Sequence, residues 1–197
     1  MSHYFSKQPN TKSNPKSINY DFKGTRYSFK TDYGVFSKAH VDDATNLLLH
    51  HLTIQEGQKV LDLGCGYGVV GIILADYFKA KTTMIDINER ALSLANDNAK
   101  QHSINVNIIH SDGFEEIEES FDHIVTNPPI RIGKEKLYEL FTNARSHLKP
   151  QGTLWLVMHK KHGALSAIKY LEKYYTVNIV TKQKGFHVIA CQNSLTI

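Results

Sequence analysis

The sequence predicts an α/β fold: a mostly parallel sheet of seven strands, closed by a terminal antiparallel hairpin and preceded by a small amino-terminal β-hairpin. Three observations predict it. From Lys59 onward, short apolar runs alternate with stretches of helical spacing, the pattern of βα units whose parallel sheet is covered by helices on both faces. A glycine-rich turn, Gly64-Cys65-Gly66-Tyr67-Gly68, joins the first of these runs to a helical one. The last two strand-like runs have no helix between them, so they close the sheet as a hairpin, as mixed sheets permit.

Residues 1–17 carry Pro9 and Pro15 among Ser, Asn, Thr and Lys and read as a flexible basic tail; residues 18–197 read as one domain. Ser17–Phe22 and Arg26–Thr31 alternate aromatic and polar positions around Lys23-Gly24-Thr25, a hairpin pattern. Asp42 and Asp43 precede a helix over Ala44–Leu52 whose leucines cluster on one face. Lys59–Leu63 is a short buried strand and Val69–Phe78 a helix. Thr82–Ile87 is the next strand, followed by a helix to Lys100 that Asn88 caps. Val106–His110 and His123–Thr126 are strands, Lys134–Leu148 a helix, and Lys149-Pro150-Gln151-Gly152 a turn before the strand Thr153–Met158. Gly163–Lys173 is helical, and Val177–Thr181 and His187–Cys191 form the closing hairpin around Lys182–Gly185.

Composition narrows the function classes. A chain of 197 residues suits one α/β core. No apolar run approaches the length that spans a bilayer, and the polar amino terminus lacks a secretory apolar stretch, so the expected location is the cytoplasm. Cys65 and Cys191 form no close pair and have no zinc spacing. His159 and His162 lack a third ligand of suitable spacing and read as solvated loop residues, so no metal is expected. The net charge of +4 is unevenly placed: residues 1–40 hold seven Lys/Arg against two Asp/Glu, a balance of +5. A basic arm on a near-neutral body fits a polyanion such as nucleic acid, and equally a solvated tail.

Two motifs carry the chemistry. Val60-Leu61-Asp62-Leu63 runs into glycines 64, 66 and 68, where backbone approaches a ligand closely and the helix beginning near Gly68 offers free N–H groups. Asp86 ends the next strand eighteen residues past Gly68, the position from which a carboxylate accepts ribose hydroxyls. Downstream, Asp122–Thr126 runs directly into Asn127-Pro128-Pro129-Ile130. The two prolines fix φ twice and remove two donors, which stiffens the loop and leaves its carbonyls free. Asn127 Oδ1 and the Pro128 carbonyl are both acceptors, able to hold an NH₂ group by its hydrogens and leave the nitrogen lone pair for an electrophile. Alone, an Asn-Pro-Pro sequence is an ordinary turn; after a glycine loop in the same fold it is a candidate catalytic loop.

These motifs resemble those of the class I S-adenosylmethionine (SAM)-dependent methyltransferases, whose fold is Rossmann-like. The resemblance implies SAM as cofactor, with Gly64, Gly66 and Gly68 beneath its methionine part and Asp86, beside Ile87, on its ribose. It further implies contacts from Asp62, from Asp112-Gly113 near the adenine, and from Asn127. The tetrapeptide 127–130 resembles the N-P-P-(Tyr/Phe/Trp/Ile) motif of amino methyltransferases, whose acceptors are guanine N2, adenine N6 or glutamine nitrogen. Ile130 departs from the common aromatic, which leaves Tyr33, Phe36 and Tyr67 as alternative stacking platforms. Three further stretches extend the likeness: Thr31-Asp32-Tyr33-Gly34-Val35-Phe36-Ser37-Lys38, Arg131-Ile132-Gly133-Lys134 and Leu154-Trp155-Leu156-Val157. Together they resemble the RsmC-type 16S ribosomal RNA guanine-N2 methyltransferases, in their short single-domain form. That implies a ribosomal RNA or small-subunit partner, Phe36 and Ser37 closing over SAM, and Arg131 and Lys134 holding phosphates. Transfer to glutamine or to adenine N6, and a non-catalytic module that binds SAM or RNA, stand as the alternatives.

Overall fold

The computed structural model describes residues 13–35 and 39–194. The amino-terminal hairpin pairs β1 (Lys16–Phe22) with β2 (Thr25–Thr31). Its turn is two residues, Lys23 and Gly24, both at positive φ, the geometry that matches the twist of tightly joined strands. Thr25, expected in the turn, therefore pairs with Phe22. Of the tail expected over residues 1–17, residues 1–12 lie outside the described residues. Its end is docked: Ser13 Oγ and Asn14 N donate to Asp32, and β1 starts at Lys16.

The main sheet contains β3 (Lys59–Leu63), β4 (Lys81–Asp86), β5 (Asn107–His110), β6 (Phe121–Thr126), β7 (Leu148–His159), β8 (Thr176–Gln183) and β9 (Phe186–Gln192), in the order β5-β4-β3-β6-β7-β9-β8. The pairs from β5 to β7 are parallel, and β9 runs antiparallel to both β7 and β8. Period-two alternation divides the core between the two faces. Val60, Val125, Trp155 and Val157 pack with α1 (Asp43–His51), α2 (Val69–Asp76) and α3 (Glu89–Gln101). Leu61, Ile124, Leu154 and Leu156 pack with α4 (Lys134–Asn143) and α5 (Ala164–Leu171).

The hairpin straps the first group of helices. The Tyr20 hydroxyl donates to Asn46 of α1, and that of Tyr27 to Asp76 of α2, each at 2.7 Å. Asn98 of α3 is fully buried and serves β2 as a missing neighbour strand would: its Oδ1 accepts from Lys30 N at 2.7 Å and its Nδ2 donates to Lys30 O at 2.9 Å. The same Nδ2 donates to Tyr67 O in the glycine loop, so one side chain joins hairpin, helix and loop.

Three expected boundaries shift for identifiable reasons. Lys149–Gly152 is a bulge inside β7 rather than a turn before it, because Leu148 already pairs with Phe121 and the register shifts between Phe121 and His123. Gly152 is required there, since a Cβ would meet Lys149 O at 2.9 Å and two further carbonyls. That early pairing of Leu148 also shortens the helix expected to reach it: α4 stops at Asn143 and a 3₁₀ turn covers Ala144–His147. The helix expected to reach Phe78 ends at Asp76, where Lys79 turns left-handed and Ala80 N donates back to Leu74 O. Phe78 then packs against Phe22 of the hairpin. Among the described residues no helix is long and apolar enough to cross a membrane.

Candidate active site

β3 lies at the switch point of the sheet. The chain moves from it to β4 and β5 on one side and returns to β6 and β7 on the other, which opens a crevice at the carboxyl ends of β3 and β6. Thr126 Oγ1 donates to Leu63 O at 2.8 Å and ties the two strand ends together. The glycine loop leaves one of them and the Asn-Pro-Pro loop the other.

Gly64, Gly66 and Gly68 all have positive φ, a conformation costly to residues with a Cβ. At Gly64 and Gly66 a Cβ would meet nothing within 4 Å, whereas at Gly68 it would touch Ala95 and Ile72 at 3.3 Å. The first two glycines therefore expose bare backbone to the crevice, and the third lets α2 start against α3. Gly71, one turn into α2, is equally constrained, because a Cβ there would collide with the buried Met84 side chain.

The two acids flanking the loop differ in role. Asp86 is half-buried; its Oδ2 accepts from Gly66 N and its Oδ1 from Asn88 N, both at 2.8 Å. It joins the loop to the end of β4 and retains acceptor capacity, since a carboxylate has about four lone-pair sites. Asp62 is 2 % exposed and accepts from Gly71 N at 2.8 Å, so it anchors α2 from beneath the loop. Burial pushes the Asp62 carboxyl up to about 7, with the nearby Asp86 charge adding to the rise. Asp86 is raised as well, chiefly by burial, against the lowering effect of its backbone hydrogen bonds. Cys65 is buried in the loop and its thiol is pushed up by the same burial and the same two carboxylates.

Next along the crevice, Ser111 N donates to Asp86 O. Ser111 Oγ, hydrogen-bonded to Gly113 O and Glu116 N, shapes a turn that leaves Asp112 exposed. Ile87 is half-buried and its carbonyl accepts from the His110 ring. Phe36 and Ser37 lie outside the described residues. The segment leading to them is held beside Asp86: Asn88, besides capping α3, donates through Nδ2 to Gly34 O at 3.0 Å, and Arg90 donates to Tyr33 O at 2.7 Å. Tyr67 is not a stacking platform. It is 4 % exposed and packs edge-on against Phe29 in the core.

On the other side stands Asn127. Its Nδ2 donates to Thr45 Oγ1 at 3.0 Å and to the Asp42 carboxylate, with oxygens at 3.3 and 3.4 Å. Among the described residues its Oδ1 accepts nothing. The amide orientation is dictated by charge, because the reverse would set Oδ1 against a carboxylate. Pro128 is buried, and Pro129 leads into a 3₁₀ turn over Ile130–Ile132 closed by Ile132 N donating to Pro129 O. Arg131 and Lys134 are exposed beside it. A cavity of about 150 Å³ opens against this turn, lined by Ile130, Lys134, Leu137, Tyr138, Met158 and His162 among others. The Tyr138 ring is backed by Tyr170 at 4.2 Å, with Lys134 Nζ 5.3 Å from its centroid.

Sequence reasoning missed Asp42, Thr45, Tyr138 and His162 as neighbours of the loop. An acid three residues before a Thr at a helix start was a legible capping signal; its second partner, 85 residues away, was not. His159 is no free loop histidine: its Nδ1 accepts from Lys161 N and its ring packs on Phe186. Among the described residues no three His, Cys, Asp or Glu side chains converge as a metal site would require.

A doubly wound sheet with bare glycine backbone and a ribose-spaced acid at its switch point, and an Asn-Pro-Pro loop on the adjoining strand, is the architecture of a class I SAM-dependent methyltransferase. Residues 26–190 match the methyltransferase small domain family, and the chain belongs to that family. It is 44% identical over 193 residues to the uncharacterized protein YbxB of Bacillus subtilis (strain 168), covering 95% of this chain and 96% of that one. It is 40% identical over 129 residues to ribosomal RNA small subunit methyltransferase C of Haemophilus influenzae (strain 86-028NP), covering 63% of this chain and 39% of that one. Among solved structures, T. thermophilus 16S rRNA N2 G1207 methyltransferase (RsmC), in complex with AdoMet and guanosine, superposes with a TM-score of 0.82 at 26% identity. That superposition covers 91% of this chain and 50% of the other. The chain thus spans half or less of the length of these two RsmC proteins.

Proposed function

We propose that the chain transfers the methyl group of SAM to N2 of a guanine in 16S ribosomal RNA. The observation that carries this reading is the Asn127 side chain. Both its amide hydrogens are engaged by α1, and its Oδ1 is left to accept beside a glycine loop suited to SAM. The likeness to RsmC, extending over 91% of the chain, supports the choice of acceptor.

The site suits the cofactor. The bare backbone at Gly64 and Gly66 admits its close approach, Asp86 holds the ribose beside Ile87, and Asp112-Gly113 meets the adenine. Asp62 supports the loop and supplies negative charge from below. SAM supplies a methyl group on a sulfonium, an electrophile. Asn127 Oδ1 and the Pro128 carbonyl would accept hydrogen bonds from the two amine N–H groups, which leaves the nitrogen lone pair for the new N–C bond. The methyl C–S bond would break, the thioether would leave, and the surplus proton on nitrogen would pass to water. As positive charge grows on that nitrogen, both acceptors stabilise it, and the proline-stiffened loop spares them reorganisation. Tyr138 offers a ring beside Ile130, on the wall of the neighbouring cavity. The guanine enters unpaired or flipped, while Arg131, Lys134 and the exposed Lys160 and Lys161 hold phosphates. Such a partner places the protein with ribosomes in the cytoplasm.

The test is transfer of labelled methyl from SAM to small ribosomal subunits purified from cells lacking this gene, with the product nucleosides separated afterwards. Label in N2-methylguanosine is the expected result. Label in N6-methyladenosine, or in protein glutamine, would keep the amine chemistry and overturn the acceptor. No label with SAM bound would overturn the RNA reading.

A further inference from the structure

Helix α1 and its cap lie apart from the glycine loop, yet among the described residues they make every side-chain hydrogen bond of Asn127. We propose that Asp42 and Thr45, at the start of α1, are positioning residues for methyl transfer: they lock the Asn127 amide with Oδ1 toward the acceptor amine and strengthen that oxygen as an acceptor. The inference rests on Asn127 holding the amine.

The geometry is a closed network. Asp42 caps α1, with Oδ1 accepting from Ala44 N and Thr45 N at 3.0 and 3.1 Å. Its Oδ2 accepts from Thr45 Oγ1 at 2.7 Å. That bond uses the only hydroxyl hydrogen of Thr45, so its oxygen can only accept from Asn127, which it does at 3.0 Å. The other Asn127 amide hydrogen faces the Asp42 carboxylate. With both hydrogens held, rotation about the terminal torsion is blocked. The held orientation is also the one that catalysis requires.

The anchor is rigid because Thr45 is 7 % exposed and Leu48 and Leu49, one turn further on, are fully buried. The Asp42 charge adds a second effect. An amide that donates to an anion is polarised, which draws electron density toward its oxygen. That oxygen faces the nitrogen on which positive charge develops, so Asp42 acts on the transition state through Asn127 without touching substrate. A cap alone would explain the bonds to Ala44 and Thr45; it does not explain a carboxylate and a hydroxyl turned together onto a loop 82 to 85 residues away.

Single-turnover transfer to small ribosomal subunits from the deletion strain separates these roles. Asp42→Asn keeps a good helix cap and removes the charge; Thr45→Val keeps the shape and removes the hydroxyl; Thr45→Ser restores it. Asp42→Asn and Thr45→Val should each slow transfer by about tenfold, the effect typical of groups that orient a reacting ligand. Binding of S-adenosylhomocysteine should stay unchanged, the melting temperature should fall only slightly in Thr45→Val, which strands the Asn127 amide, and Thr45→Ser should recover most of the rate. In an Asn127→Ala background neither substitution should matter further. The Asn127 side-chain amide resonances, identified by their loss in Asn127→Ala, should shift in both variants. Wild-type rates in Asp42→Asn and Thr45→Val alongside an inactive Asn127→Ala would overturn this inference alone, as would unmoved amide resonances. Wild-type transfer by Asn127→Ala would overturn the reading of Asn127 and this inference with it.

Discussion

Asp62 lies beneath the glycine loop and Asp86 at the end of β4 beside it, and their raised pKa values bear on how a cation binds above them. Asp62 titrates near 7 when folded, against 3.8 for an ordinary Asp. Between those limits the native chain keeps a proton that the unfolded chain has lost. Asp62 thus favours folding in acid, and that contribution fades as pH rises through about 7. A ligand bearing a sulfonium and an ammonium prefers the ionised carboxyl, so SAM affinity should rise severalfold from pH 6 to pH 8. Calorimetric titration across that range should show the rise in the wild type and a flatter profile in Asp62→Asn; equal slopes would remove Asp62 from SAM binding. Residues of this kind divide by legibility. Asp86 could be read from spacing, because the distance from glycine loop to ribose is set by one βα unit. The Asn88 cap could be read too, but its bond to Gly34 and the role of Asn98 could not be, because a polar residue in a helix window shows its sequence neighbours and not the backbone it meets after folding.

At the scale of elements, the alternation of strands and helices was legible because each strand has residues for two cores and each helix for one. What escaped was imposed by pairing. The bulge at Lys149–Gly152 reads locally as a turn, and only the ladder to β6 and β9 shows that the strand continues through it. The hairpin was visible as a pattern, while its seat across α1, α2 and α3 depends on contacts such as Asn98 to Lys30 and Tyr67. Replacing Asn98 by Ala strands one N–H and two carbonyls, so it should lower stability by about 2–3 kcal/mol. Urea denaturation would measure it; a loss under about 0.5 kcal/mol would show that water replaces these bonds at little cost.

Taken whole, the molecule puts its chemistry at one end of the sheet, with the glycine loop, Asp86, the Asn-Pro-Pro loop and the cavity all at the carboxyl ends of strands. Arg131, Lys160 and Lys161 on 3₁₀ turns and Lys134 at the start of α4 stand exposed at that end, which suits a phosphate backbone passing over the crevice. Charge removal at Arg131 and Lys134 should weaken RNA binding across sequences and lower the slope of log affinity against log salt by about 0.7–0.9 per lost phosphate contact, with SAM affinity unchanged. An unchanged slope would move the RNA path elsewhere. The central claim, that Asn127 presents a guanine N2 of 16S ribosomal RNA for methylation, is tested most directly by nucleoside analysis of 16S RNA from a strain deleted for the gene and complemented with wild type or Asn127→Ala. Loss of one N2-methylguanosine on deletion, restored by the wild type and not by Asn127→Ala, is the predicted result. An unchanged N2-methylguanosine content on deletion, or restoration by Asn127→Ala, would contradict it.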